Sequence, residues 1–155
     1  MPVLAREASA AANGTSQPLA SAEGLRRGGY VLAEASGGTP SAVLIASGAE
    51  LGLAVEARER LEDDGVPTRV VSMPSWHLFE EQDSAYRAEV LPQEIRARVS
   101  VEAGSTFGWE RWVGEGGRSI GIDHFGASAP ADVLFEKFGF TVDNVVETTK
   151  ILVEG

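Results

Sequence analysis

From Gly28 onward the chain alternates short apolar runs with amphipathic stretches of helical period. Two runs come first, YVLAE at 30–34 and AVLIAS at 42–47. They are joined by ASGGTPS, where two glycines and a proline signal a turn. So short a link permits a hairpin but no crossover helix, so these two strands are expected to be antiparallel. In AELGLAVEARERLEDDG (49–65), Leu53, Ala54, Ala57 and Leu61 share one face, and Glu56, Glu59, Arg60 and Glu62 lie largely off it. That pattern predicts a helix, with Gly65 as its stop.

TRVVSM (68–73) reads as the third strand. PSWHLFEEQDSAYRAEVLP (74–92) reads as one helix, with Ser75 as N-cap and Pro92 just past its end. A fourth strand lies within ARVSVEAG (97–104), a short helix within TFGWERWVG (106–114), and a fifth strand in RSIGID (118–123). Strands alternating with helices imply right-handed crossovers. The expected fold class is therefore α/β: a three-layer αβα domain with a five-stranded, mostly parallel sheet and an antiparallel first strand.

The stretch GIDHFGASAPADVLFEKFGF (121–140) leaves the fifth strand, turns at Asp123–Ala127 and opens a helix. Ser128 is placed to cap that helix, and Pro130 and Asp132 suit its first turn. Ala131, Leu134, Phe135 and Phe138 fall on one face, Gly139 ends the helix, and Phe140 is expected to fold back over it. Thr141 then caps a last helix striped by Val142, Val145, Val146, Thr149 and Leu152.

The beginning of the chain differs. REASAAANGTSQPLASAEG is small and polar without an apolar period, so residues 1–26 are expected to be a linker or tail and residues 27–155 the domain. The whole has 155 residues, 43% of them apolar, which suits one domain with a packed core. No apolar run approaches the roughly 20 residues that span a bilayer. No charged start leads into an apolar segment of the kind that directs secretion. Cysteine is absent, which excludes disulfides, zinc–thiolate sites and thiol nucleophiles. The expected location is cytoplasmic, and the glycosylation pattern Asn13-Gly14-Thr15 is then read as chance.

Thirteen basic residues face 23 acidic ones, a formal charge of −10, and only two of the basic residues are lysines. No basic cluster exceeds Arg26-Arg27. Nucleic acids and anionic membranes each need a positive footprint, so neither is expected as a partner.

Several residues invite a chemical reading. Asp123, His124 and Ser128 have the identities of a hydrolytic triad, but they lie too close in sequence to converge, and no G-x-S-x-G elbow occurs. His124 and Ser128 are better read as loop or interface residues. His77-x-x-Glu80 could put two metal ligands on one helical face. The other histidine is far along the chain, so a solvated helix start is preferred. GEGGRSIG (114–121) departs from G-x-G-x-x-G at Ser119 and precedes a strand instead of following one, so it reads as a turn. Ser47, Gly48 and Ala49 join a strand to a helix N-terminus, where free N–H groups favour a small anion, although Glu50 already supplies negative charge there.

The stretches Ser47–Glu50, Met73–Trp76, Glu102–Phe107 and Asp123–Ala129 each follow a parallel strand, so they are expected along one edge of the sheet. Trp76, Phe107, Trp109 and Trp112 are candidates for an exposed apolar surface there. For at least Trp109 or Trp112 the core is the expected place.

Beyond these patterns, long strings carry a resemblance. RGGYVLAEA, AVLIASGAELGLAVEARERLEDDGVPTRVVSMPSWHLFEEQDSAYRAEVLP, RVSVEAG and SIGIDHFGASAPADVLFEKFGFTVDNVV closely resemble the C-terminal, third domain of transketolase, in the same order and from about Arg27 to the end. PVLAREAS is similar to the tail of the segment that links the preceding domain to this one. The resemblance implies a transferase of the pentose phosphate pathway. Its members use thiamine diphosphate and Mg2+ to move a two-carbon ketol unit from a ketose phosphate to an aldose phosphate. They are homodimers with three domains per chain, and the cofactor lies between the first and second domains of opposite subunits.

The family's magnesium–diphosphate motif, Gly-Asp-Gly with a downstream Asn, does not occur here. The residues that activate the cofactor and hold the phosphosugar belong to the second domain. The resemblance therefore implies no catalytic, cofactor-binding or metal residue on this chain. Its expected partners are the remaining domains and a second subunit, its expected role is structural, and it is expected to be inactive by itself. Two other readings stay open: a free-standing small-anion-binding or regulatory module, and an independent enzyme using Asp123 and His124.

Overall fold

The computed structural model describes residues 19–123 and 130–155. Five strands form one sheet: β1 (Tyr30–Ala33), β2 (Ala42–Ala46), β3 (Thr68–Ser72), β4 (Arg98–Val101) and β5 (Arg118–Ile120). Their order is β1-β3-β2-β4-β5. β2 runs parallel to β3 and β4, β4 runs parallel to β5, and β1 alone is antiparallel, to β3.

The helices are α1 (Glu50–Asp63), α2 (Trp76–Glu80), α3 (Ser84–Val90), α4 (Glu110–Val113), α5 (Ala131–Lys137) and α6 (Val142–Glu154). Side chains alternate across the sheet. Leu44, Ala46, Val70, Val99 and Val101 join the buried residues of α1 and α6 on one face. Val43, Ile45, Val71 and Met73 join those of α2, α3 and α4 on the other. Helices thus cover both faces, giving the three-layer α/β architecture expected. β2 is fully buried, and Val43, Leu44 and Ile45 each contribute roughly 2 kcal/mol by leaving water.

Two details correct the reading from sequence. First, β1 is antiparallel but is no hairpin partner of β2; it pairs with β3, Tyr30 opposite Ser72 and Val31 opposite Val71. Both sides of β2 are taken, by β3 and β4, so the short link must pass over the start of β3. Glu62 fixes that passage, since one carboxylate oxygen accepts from Ser36 N at 3.0 Å and from Thr68 N at 2.8 Å. Second, the single helix expected over 74–92 is two, α2 and α3. Ser75 caps α2 as expected, but Asp83 also acts as an N-cap, accepting from Tyr86 N at 2.8 Å, and so begins a new helix. Trp109 and Trp112 are both core residues, where the sequence expects at least one of them.

The end of the chain follows expectation. Gly139 adopts φ +83° after α5, Phe140 N donates to Phe135 O at 2.8 Å, and the two rings lie 5.2 Å apart. Phe135 and Phe138 pack partly buried against the core; the side chains of Ala131 and Leu134 lie outside the described residues. Thr141 caps α6 through Asn144 N, and Val145, Val146 and Thr149 are buried. Before β1, residues 22–27 form a 3-10 helix, Leu19 and Leu25 pack on the core, and Ala20 N donates to Leu32 O at 2.8 Å. No helix among the described residues is long and apolar enough to cross a membrane.

Candidate functional site

Parallel strands release their following loops at one edge of the sheet. Here the loops after β2, β3 and β4 line one cleft of about 380 Å³, with Ser47, Met73, Trp76, Glu102, Ser105 and Trp109 among its walls. The stretch after β5 is tied to the same edge. Asp123 accepts from Thr106 N at 2.8 Å and from Thr106 Oγ1 at 2.7 Å, and Ser105 Oγ lies at 3.4 Å. Gly121 makes the approach possible: a Cβ there would lie 2.6 Å from the Thr106 methyl and 2.8 Å from Gly104 O. Of the four expected stretches, then, the first three meet at the cleft and the fourth starts beside it. His124 and Ser128 lie outside the described residues.

The chemistry of the cleft is acidic. Ser47 Oγ donates to Glu102 Oε2 at 2.6 Å. Glu50, only 6% exposed at the start of α1, is held by N–H groups of its own residue and of Ala103. Burial pushes its pKa above the usual carboxylate value, the nearby Glu102 adds to that, and the accepted N–H bonds oppose it. The helix N-terminus at Ser47, Gly48 and Ala49 is thus already supplied with negative charge, and its electrostatics run against a further anion. Ser47 has a carboxylate partner and no imidazole, and a carboxylate is too weak a base to make a hydroxyl a good nucleophile. The pair holds Glu102 in place.

The remaining candidates are not assembled. His77 faces Glu81 at 3.3 Å, whereas Glu80 pairs with Arg111, so His77 and Glu80 share no ligand position. No group of three metal-ligating side chains occurs among the described residues. GEGG of GEGGRSIG is the turn between α4 and β5, and RSI is β5 itself. Of the aromatic candidates, Trp109 and Trp112 are buried, Trp76 is half-buried and Phe107 is 86% exposed.

Sequence reasoning passed over Glu102 and three enclosed arginines. Arg58 Nε donates to Thr68 O at 3.0 Å, and its Nη2 to Glu34 O. Arg69 grips the Glu34 carboxylate through two bonds of 2.9 and 2.8 Å and donates to Glu89 O and Val90 O. Arg98 donates to the carbonyls of Ile95, Trp112, Leu91 and Pro92. A signal for two of them was present: β3 and β4 carry Arg at their first or second position.

Comparison with known proteins bears on the whole chain. The family model described as "Transketolase-like TK C-terminal domain" matches residues 28–141. A transketolase of Geobacillus stearothermophilus is 50% identical over 130 residues, covering 84% of this chain and 20% of that protein. A chloroplastic transketolase of Craterostigma plantagineum is 51% identical over 137 residues, covering 88% and 26%. The solved transketolase from Leishmania mexicana superposes with a TM-score of 0.80 at 43% identity, covering 89% of this chain and 20% of that one. The chain thus spans about a fifth to a quarter of the length of the relatives it matches.

Proposed function

The chain belongs to the transketolase family, to whose C-terminal domain it corresponds, and from that premise we propose that it serves a ketol-transferring enzyme as a docking domain. In this reading the complete enzyme is a thiamine-diphosphate- and Mg2+-dependent transferase of the pentose phosphate pathway. It carries a two-carbon ketol unit between sugar phosphates and is a homodimer. The domain packs on the remaining domains and the second subunit, and supplies no catalytic or cofactor-binding residue. The cytoplasm is the proposed compartment, on the cysteine-free composition; the Craterostigma relative is named as chloroplastic.

Phe107 carries the docking role. It is 86% exposed in the loop after β4, at the edge where three strand-to-helix loops meet, and the neighbouring Gly108 lies against half-buried Trp76. An aromatic side chain fully in water on a domain of this size favours a partner surface there. The acidic cleft supports placing the cofactor elsewhere. Glu102 on its wall and Glu50 beside it repel a diphosphate.

The test is a ketol-transfer assay on the purified chain with thiamine diphosphate, Mg2+, a ketose phosphate and an aldose phosphate, beside calorimetric titration with the cofactor. The expected result is no turnover and no micromolar cofactor binding. Turnover that survives removal of contaminating full-length enzyme would overturn the reading.

A further inference from the structure

At the opposite, amino edge of the sheet a second cavity of about 250 Å³ opens between α3, α4 and the start of β4. Ser84, Arg87, Gln93, Arg98, Arg111 and Trp112 contribute to its walls. An adjoining cavity of about 310 Å³ shares Gln93 and Arg98 and adds Arg96 and Glu115. In a chain of net charge −10, this is an unusual concentration of guanidinium groups.

The charges there are poorly compensated. Arg98 spends its donors on four backbone carbonyls and makes no ion pair among the described residues; Glu94 acts on it only through the field. Arg87 makes no ion pair among the described residues, and its Nε is buried without a hydrogen-bond partner. Arg111 pairs with Glu80, and its guanidinium carbon lies 5.7 Å from the centroid of the Trp112 ring.

A second observation points the same way. Trp112 is only 7% exposed, and its Nε1 is a buried donor with no partner. Both orphans belong to residues of this cavity's wall, which is short of acceptors and of negative charge. A group that offers several oxygen acceptors and negative charge meets both needs. The volume falls just below the range usual for drug-sized ligands, which suits a phosphate group with a few carbon atoms attached.

We propose that this cavity binds a small phosphate-bearing anion, with Arg87 and Arg111 as its charged contacts, Ser84 and Gln93 as further donors, and Arg98 supplying positive field from below. The site is independent of the docking role, because no residue lines both this cavity and the cleft at the carboxyl edge.

Calorimetric titration of the 155-residue chain at low ionic strength tests it. One arm uses inorganic phosphate and the other sn-glycerol 3-phosphate; the tighter of the two tells a free ion from a phosphate monoester. One-site binding is expected in at least one arm. Arg87→Gln should weaken it by about tenfold or more, the loss of one charge-assisted contact, while Arg87→Lys retains most of it. Arg118→Gln, which removes an exposed arginine elsewhere, should leave it unchanged. Melting curves followed by circular dichroism show whether each variant is folded. Absence of heat from the unaltered chain with either probe at millimolar concentration would overturn the proposal. So would a folded Arg87→Gln that binds as the unaltered chain does, or an equal loss in Arg118→Gln.

Discussion

At the carboxyl edge of the sheet the enclosed charges are carboxylates; at the amino edge guanidiniums predominate, with Glu62 enclosed among them. Glu50 begins α1 and accepts N–H groups from its own residue and Ala103. Arg69 and Arg98 begin parallel strands and donate to carbonyls at the ends of α3 and α4. The contrast follows from backbone direction. A parallel strand runs into a helix whose first N–H groups lack partners, and that helix ends in unpartnered carbonyls just before the next strand. Side chains of opposite sign complete each edge. In this chain the N–H groups where open α/β folds place ligands are met by the chain's own acids, and the surplus of donors sits at the other edge.

The contrast can be broken most sharply at Arg98. Arg98→Leu removes the donor for four carbonyls and should cost about 3 kcal/mol in urea unfolding. A loss below about 1 kcal/mol would mean that those carbonyls are as well served by water, and the amino edge would lose its claim to need positive charge.

At the carboxyl edge, Asp123→Asn weakens the grip on Thr106 N and Oγ1 and should cost about 1 kcal/mol, with faster hydrogen exchange at the Thr106 amide. Unchanged exchange would show that the loop after β4 is held by other contacts.

Glu50→Gln should have a smaller effect, visible chiefly in pH dependence. The pKa of Glu50 is raised above 4.5, so the folded chain holds that proton more tightly than the unfolded chain does. Its contribution is fully present below pH 4.5 and is lost as pH rises through the folded value. Glu50→Gln should flatten that decline in urea titrations from acid to neutral pH, while stability at neutral pH changes by less than about 1 kcal/mol. A decline that persists unchanged would assign it to another carboxylate.

The smallest effect is expected from Phe107→Ser. Stability of the chain alone should stay within about 0.5 kcal/mol, because the ring touches little. Association with a chain carrying the other transketolase domains, followed by sedimentation, should weaken. Unaltered association would move the docking surface away from the carboxyl edge.

The sheet, α1 and α6 were legible because alternation and helical period report burial directly: Val43, Leu44 and Ile45 form a run buried on both faces. The position of β1 was not. A short link sets direction but leaves adjacency open, and β3, arriving later in the chain, takes the place between β1 and β2. Asp83 looked like an exposed residue inside a helix, and its role as a cap shows only in the backbone around it. For the site, strand-to-helix alternation announced that four loops would gather along one edge, three of which meet at the cleft. It could not pair Ser47 with Glu102, separated by 55 residues, because that contact exists only once β2 and β4 lie side by side.

All three tryptophans of the chain fall in one aromatic cluster. Trp76 lies edge-on to Trp109 at 5.0 Å and to Trp112 at 6.3 Å, and Phe79 meets Trp112 at 5.3 Å. They belong wholly to the layer under α2, α3 and α4, while the core under α1 and α6 contains none. Indole fluorescence therefore reads one half of the sandwich and is blind to the other. The gap between a fluorescence melt and a far-ultraviolet dichroism melt becomes a direct gauge of how cooperatively the two halves come apart.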